Sequence, residues 1–157
     1  MSIQVEVIAD ITDEDLAAVN GLIPQLSRSA PPLSADALKQ IVSWDGNYLL
    51  IARDGDRAVG MLTLVTFPIP TGLRAWIEDV VVDETARGQG VGAALTREAV
   101  RHAQAAGART VDLTSRPTRQ AANRLYERLG FELRETNAYR FATQSLSQSL
   151  SRAWSRA

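Results

Sequence analysis

Apolar and polar residues alternate at the start of the chain, where Gln4 and Glu6 separate Ile3, Val5 and Val7. A period of two marks a strand with one buried face. Thr12-Asp13-Glu14-Asp15 then supplies a cap and an acidic first turn, which predicts a helix through about Gln25. Pro24, Pro31 and Pro32 break up residues 27–33, after which Ser34 can cap a short helix to about Ser43. Tyr48 to Arg53 and Ala58 to Val65 flank the turn Asp54-Gly55-Asp56 and read as a hairpin, with Gly60 as a site for a bulge. A turn from Pro68 to Gly72 follows, and Trp76 to Val82 is a strongly apolar strand. Gly90 to Ala106 has helical spacing and is closed by Gly107, Thr110 to Thr114 is another strand, and Gln120 to Leu129 is a helix stopped by Gly130. Phe131 to Phe141 predicts a last strand or pair of strands. This order is an α/β plan with a mixed sheet. The predicted domain covers residues 1–142. Beyond it, the tail 143–157 is rich in Ser, Gln and Ala, with Leu146, Leu150 and Trp154 at four-residue intervals, and reads as a disordered end or a short helix.

Composition narrows the chemistry. With 157 residues the chain can bury a core without crosslinks, and with no cysteine it has no disulfide, no thiolate metal site and no cysteine nucleophile. Its single histidine excludes a multi-histidine metal site, so no metal is expected and catalysis falls to oxygen groups and the backbone. Met1 to Val7 has no basic region followed by an apolar stretch, and no run approaches the ~18 apolar residues of a membrane span. The expectation is a cytoplasmic protein without a membrane partner. A net charge of −1, with both signs mixed along the chain, gives no polybasic footprint for nucleic acid and favours a small-molecule ligand.

Val80-Val81-Val82 runs into a loop in which Gly88, Gly90 and Gly92 occupy alternate positions before a helical pattern begins. Glycines so placed leave backbone N–H groups open to a bulky anion, and the helix start adds unpaired donors and a positive dipole end. Linked phosphates are the expected occupant. A Walker-type loop would need a Gly-Lys-Ser/Thr ending, but the only lysine is Lys39. Gly88, Gly90 and Ala93 also satisfy a dinucleotide fingerprint, with Asp112 20 residues past Gly92. Five residues, Asp83 to Arg87, stand where that fold needs a tight turn, and about 45 residues after Asp112 are too few for a second mononucleotide half.

Arg87, Gly90 and Gly92 instead fit the pattern Arg/Gln-x-x-Gly-x-Gly/Ala, and Asn123 to Phe131 carries Asn, Tyr126, Gly130 and Phe131 in the order N-x-x-x-Y-x-x-x-G-F, with one residue fewer after the Asn. Together these motifs resemble the GCN5-related N-acetyltransferase (GNAT) superfamily. The resemblance implies one α/β domain whose mixed, mostly antiparallel sheet splays at the cofactor site, flanked by about four helices. It implies acetyl-CoA as cosubstrate and direct attack by a primary amine in a ternary complex. By resemblance, the backbone of Val80, Val81 and Val82 would bond the pantetheine arm and supply the oxyanion donor. Arg87, Gly88, Gln89, Gly90, Val91 and Gly92 would hold the pyrophosphate, and Asn123 would bond the cofactor arm. Tyr126 takes the general-acid role, which suits a hydroxyl whose pKa of ~10 is close to that of a leaving thiol.

An amine acceptor must lose a proton before it attacks, and a carboxylate can take it directly or through a water. Glu78 and Asp79 lie in an otherwise apolar strand, where alternation sends them to opposite faces unless a bulge intervenes. Glu78 is preferred by resemblance, and Asp79 is the fallback. His102, mid-helix beside polar neighbours, receives no role. The proline-broken segment 27–33 is the candidate acceptor-binding loop. Ile77 to Val82, Arg87 to Gly90 and Tyr139-Arg140-Phe141 look like glucosamine-phosphate N-acetyltransferases, for which Arg28, Arg134 or Arg140 could meet a sugar phosphate. A peptide or protein N-terminus, a polyamine, an amino acid and an aminoglycoside stay open as acceptors. So does a non-catalytic acyl-CoA-binding or regulatory protein on the same fold. A homodimer is the expected assembly, with Trp44, Trp76 and Trp154 available as interface or core aromatics.

Overall fold

The computed structural model describes residues 2–144. The tail from 145 on, with Leu146, Leu150 and Trp154, lies outside the described residues. Strand β1 (Ile3–Val7) leads to helices α1 (Asp13–Leu26) and α2 (Ala35–Ser43), then to β2 (Asn47–Asp54), β3 (Arg57–Ile69) and β4 (Gly72–Val82). A single 3-10 turn (Glu84–Ala86) precedes α3 (Val91–Ala105), β5 (Val111–Asp112) and α4 (Gln120–Arg128). The five strands lie in chain order in one open sheet, antiparallel from β1 to β4 and parallel between β4 and β5. This is the expected splayed, mostly antiparallel sheet with four flanking helices.

Local rules account for most of these elements. Thr12 and Asp15 close a reciprocal capping box on α1, with N···O distances of 2.9 and 3.1 Å, a cap of the kind that contributes about 1 kcal/mol. Asp15 is buried, and Arg53 answers its charge at 2.7 Å while also reaching Glu6 at 2.7 Å. Pro24 does not end α1, because it sits in the last turn and the helix stops two residues later. The Asn20 side chain both accepts from Leu33 N (2.8 Å) and donates to Leu33 O (3.0 Å), tying the proline-broken loop to α1.

The sheet separates two apolar layers. Leu50, Leu62, Leu64, Ala75 and Ile77 pack toward Val91, Leu95 and Ala99 of α3, while Leu49, Ile51, Met61 and Val81 pack toward Val19 and Leu22 of α1 and Leu38 of α2. Each fully buried Leu or Ile contributes about 1.5–3 kcal/mol relative to exposure. Gly60 brings α3 close to the sheet, since a Cβ there would stand 2.9 Å from Val81 O, 2.9 Å from Val91 Cγ1 and 3.1 Å from Leu95 Cδ1. The start of α3 therefore seats directly on β3 backbone.

Two expected strands are corrected. Residues 131–141 form no strand, and β5 is two residues long instead of five. In both places the alternation is present, but a strand also needs a paired edge. Chain 113–114 parts from β4, and nothing among the described residues pairs with the chain after Gly130.

Gly60→Ala is expected to destabilise the protein by about 1–3 kcal/mol in urea unfolding, because a backbone carbonyl cannot yield as a side-chain tip can. Gly21→Ala on α1, where nothing lies within 4 Å of the added methyl, is expected to be neutral or stabilising by up to about 1 kcal/mol. Equal effects at the two positions would show that the close approach at Gly60 is not what demands glycine.

Candidate active site

Strand β4 is bonded to β3 along its length, yet to β5 only at Ala75↔Val111 and Trp76↔Asp112. From Ile77 to Val82 its other edge has no strand partner among the described residues, so backbone donors and acceptors face an opening. The pairing with β3 also shifts there. Met61 opposes Val81 and Thr63 opposes Glu78, so Leu62 alone faces Asp79 and Val80, a bulge in which Asp79 takes φ 51°. The extra residue reverses the faces of the strand. Ala75 and Ile77 point to the α3 layer before it, and Val80 and Val82 do so after it, while Val81 joins the α1–α2 layer.

The two acids are therefore not related by simple alternation. Glu78 is exposed and its Oε1 accepts from Trp76 Nε1 at 2.7 Å, while no ion pair joins it to Arg74 among the described residues. Asp79 is exposed as well, yet the protein packed around its carboxylate raises its pKa by desolvation.

The loop after β4 is pinned from two sides. Asp83 N donates to Val59 O at 2.8 Å, and the Asp83 carboxylate caps the 3-10 turn through Thr85 N at 2.9 Å. Gln25, at the end of α1, reaches Asp83 Oδ2 at 3.2 Å and receives Glu84 N at 2.9 Å. Arg57, at the start of β3, bonds Asp83 at 3.2 Å and also the Thr85 hydroxyl. Beyond the pin, Ala86 is fully buried, Gly88 and Gly90 take φ 77° and 85°, and Gly90 is the N-cap of α3 without a side-chain cap. The left-handed values require glycine at both positions. Ala94 N, bonded to Gly90 O, is the first donor of the helix with a partner, so the N–H groups of Gly88 to Ala93 are free among the described residues. Such a cluster at the positive end of a 15-residue helix suits an anion. Arg87 is exposed beside it, its Nε 3.4 Å from Val82 O, and Gln89 bonds back to Thr85 O at 3.5 Å.

Helix α4 places Tyr126 on its buried face, 8% exposed, edge-on to Phe131 at 5.8 Å. Burial raises the Tyr126 pKa, with the charge of Arg119 acting against it, and the hydroxyl makes no hydrogen bond within the described residues. Its proton is held at neutral pH and free to be donated. Asn123 Nδ2 donates to Arg116 O at 3.1 Å, fastening the loop between β5 and α4.

Sequence reasoning missed the Gln25–Arg57–Asp83 pin and Ser115. The Asp83-x-Thr85 spacing is a readable turn cap, but Gln25 and Arg57 come from distant segments. Ser115 Oγ is buried without a partner at the end of the β5 segment, and no local pattern marks it. Arg28, Arg134 and Arg140 are exposed and are joined by no ion pair among the described residues. His102 stacks on Tyr48 at 5.5 Å on the α3 layer. An open groove of 600 Å³ between α1 and the β2–β3 turn, lined by Glu14, Gly21, Arg53 and Asp56, shares only Asp83 with this site. No cluster of three or more metal-ligating side chains, and no helix long and apolar enough to cross a membrane, occurs among the described residues.

An open mixed sheet, split beside a strand that feeds a helix start rich in free N–H groups, defines an α/β domain with a cleft suited to an extended anionic ligand. Residues 17–131 match the family described as Acetyltransferase (GNAT) family, and the chain belongs to it. The chain is similar to glucosamine 6-phosphate N-acetyltransferase 1 of Oryza sativa subsp. japonica, 32% identical over an alignment of 108 positions that covers 62% of this chain and 64% of that protein. It thus spans somewhat under two thirds of the length of that curated relative. Among solved structures, a transcriptional regulator from Bacillus halodurans C-125 matches with a TM-score of 0.76 at 29% identity, over 90% of this chain and 99% of that one. A Trypanosoma brucei acetyltransferase matches with a TM-score of 0.74 at 28% identity, over 90% of this chain and 100% of that one.

The pin has a pH signature. Hydrogen bonds from Thr85, first the hydroxyl and then the backbone N–H, bring the Asp83 pKa from 3.8 down to about 2. A value depressed by folding contributes stability that is complete above the ordinary pKa and lost as pH falls through the folded one. The difference in thermal midpoint between wild type and Asp83→Ala is therefore expected to be flat above pH ~5 and to shrink as pH falls through ~4 toward ~2. A difference independent of pH would remove the charge of Asp83 from the account.

Proposed function

We propose that the chain is an acetyl-CoA-dependent N-acetyltransferase that moves the acetyl group to a primary amine of a small molecule or peptide by direct attack in a ternary complex. The observation that carries this reading is the continuity of free backbone groups from the open edge of β4 into the partnerless N–H groups of Gly88 to Ala93. A pantetheine arm followed by a pyrophosphate has the matching order of amides and anions, and the left-handed glycines at 88 and 90 keep the cradle free of side chains. Val80, Val81 and Val82 would hold the arm through their backbone, and Arg87 to Gly92 the phosphates. Bound there, the cosubstrate supplies an activated thioester.

The remaining chemistry belongs to the chain. Glu78 or Asp79 accepts the proton of the attacking ammonium, directly or through a water, so that a neutral amine forms the C–N bond. A backbone N–H of β4 bonds the carbonyl oxygen as negative charge develops on it. As the C–S bond breaks, Tyr126 donates its proton to the sulfur, the nitrogen releases its extra proton to solvent to give the neutral amide, and Tyr126 regains a proton from solvent. Glu78 is assigned by resemblance. Asp79 is favoured by its place in the bulge and by the raised pKa, which fits a base. Asn123, assigned by resemblance to bond the cofactor arm, donates from Nδ2 to Arg116 O and keeps its carbonyl oxygen as the acceptor for that bond. Within this reading the enzyme works in the cytoplasm as a homodimer. Glucosamine 6-phosphate heads the acceptors to try, because the rice relative bears that name, and exposed Arg28, Arg134 and Arg140 supply cations for a phosphate. A second reading, acyl-CoA binding without turnover, draws on the similarity to the Bacillus halodurans protein described as a transcriptional regulator.

Thermal shift with acetyl-CoA, CoA and NAD, followed by thiol release against a panel of amines, separates the readings. Stabilisation by both CoA species but not NAD, with thiol release on one amine class, is the expected result. Stabilisation without release on any amine would favour the regulatory reading, and stabilisation by NAD alone would refute the cradle assignment. Tyr126→Phe is expected to lower kcat about 10²–10⁴-fold at unchanged CoA affinity. If Asp79 is the base, the acid limb of the rate profile lies above the usual carboxylate range and disappears in Asp79→Asn but survives in Glu78→Gln. The reverse pattern assigns the role to Glu78.

A further inference from the structure

Trp76 is the last residue of β4 that is paired on both edges, with Val65 of β3 on one side and Asp112 of β5 on the other. Its backbone is therefore fixed where the split begins. Because Ala75 and Ile77 face the α3 layer, Trp76 and Glu78 project together from the opposite face of the strand. The half-buried indole reaches forward along β4, and its Nε1 donates to Glu78 Oε1 at 2.7 Å. An indole nitrogen can donate but not accept, so the bond holds Glu78 as an acceptor. No other side chain among the described residues bonds Glu78, and its Oε2 stays open. Asp79 is placed differently. The bulge takes it out of alternation at φ 51°, and its carboxylate makes no hydrogen bond within the described residues. One acid is clamped and its neighbour is free.

We propose that Trp76 is a positioning residue for the acceptor: it fixes Glu78 as the anchor of the incoming ammonium, and Asp79 is the group that removes the proton. The inference rests on the transfer reaction proposed above. Adjacent carboxylates in unlike surroundings take unlike tasks. Clamping suits the anchor, since a carboxylate ordered in advance gives up little rotamer freedom when the acceptor arrives. Lack of a partner suits the base, whose oxygens must be free to take a proton. The ammonium donates one N–H to Glu78 Oε2 and another to Asp79. The second proton passes to the Asp79 carboxylate, which leaves the nitrogen a lone pair for attack, and Asp79 later returns that proton to solvent. Arg74 shares this face of β4 but lies on the far side of Trp76, and no ion pair among the described residues takes Glu78 away from the acceptor. The indole thereby acts on the reaction through Glu78 without touching the reacting atoms.

Steady-state kinetics on the amine that gives the fastest thiol release test the role. Trp76→Phe keeps an aromatic ring and removes the donor, and is expected to raise KM for the amine about tenfold with kcat within about twofold. Glu78→Ala is expected to raise KM at least as far, and Trp76→Phe to add nothing in that background, whereas an indole with a packing role alone would act equally in both. Asp79→Asn is expected to lower kcat instead. The clamp is also read without turnover, from the indole N–H resonance of Trp76, which Trp76→Phe identifies among the three tryptophans. That resonance is expected to shift in Glu78→Ala and to stay in place in Asp79→Asn. An unmoved resonance in Glu78→Ala, additive effects of the two substitutions, or a loss in kcat rather than KM in Trp76→Phe would each overturn the clamp while leaving acetyl transfer in place. Absence of thiol release from the wild type on every amine would overturn the transfer reaction, and the anchor with it.

Discussion

Strand β4 must satisfy β3 along its whole length while releasing β5 after two residues. A flat strand could not do both, because regular pairing on one edge keeps the other edge aligned for a neighbour. The bulge at Asp79 and Val80 resolves the conflict by adding local twist and exchanging the faces of the strand. The layout of the candidate site follows that local shift. It falls within the stretch from Ile77 to Val82 that β5 leaves unpaired, turns Val82 toward the α3 layer, and sets Asp79 in a left-handed conformation beside that opening.

The anion cradle depends on the same strand through packing as well as through sequence. Gly60 lets α3 approach β3 until Val91 and Leu95 lie against backbone, and Gly92 leaves room for Leu125 of α4, whose Cδ2 a Cβ would meet at 3.2 Å. Three elements thus converge with little side-chain bulk between them. Free N–H groups at a helix start attract anions only if they are held still, and here Gln25 and Arg57 fasten the preceding turn through Asp83. The cationic partner and the polar caps stabilise the loop without using the free donors of Gly88 to Ala93.

Local physics made much of this legible. Caps at Thr12 and Ser34, the hairpin turn at Gly55, the glycines at 88 and 90 and the stop at Gly130 all act within a few residues, so the helices and the four long strands follow from the pattern. Tyr126 was readable because its motif places it on one helix, and its burial came with the apolar face of that helix. Glu78 and Asp79 were readable as a pair, but not their directions. Alternation alone would have set them on opposite faces, and whether a bulge intervenes depends on how β3 registers against β4.

What the sequence by itself determined is the kind of each element and the chemistry each can offer, since periodicity, capping and backbone freedom are properties of neighbours along the chain. Tertiary structure alone decided where β4 parts from β5, which backbone α3 can approach, how Gln25 and Arg57 meet Asp83, and that residues 131–141 lie unpaired despite their strand pattern. Those outcomes rest on contacts between segments separated by tens of residues. A strand in particular exists only when another edge accepts its hydrogen bonds, and no run of residues can specify that edge from within itself.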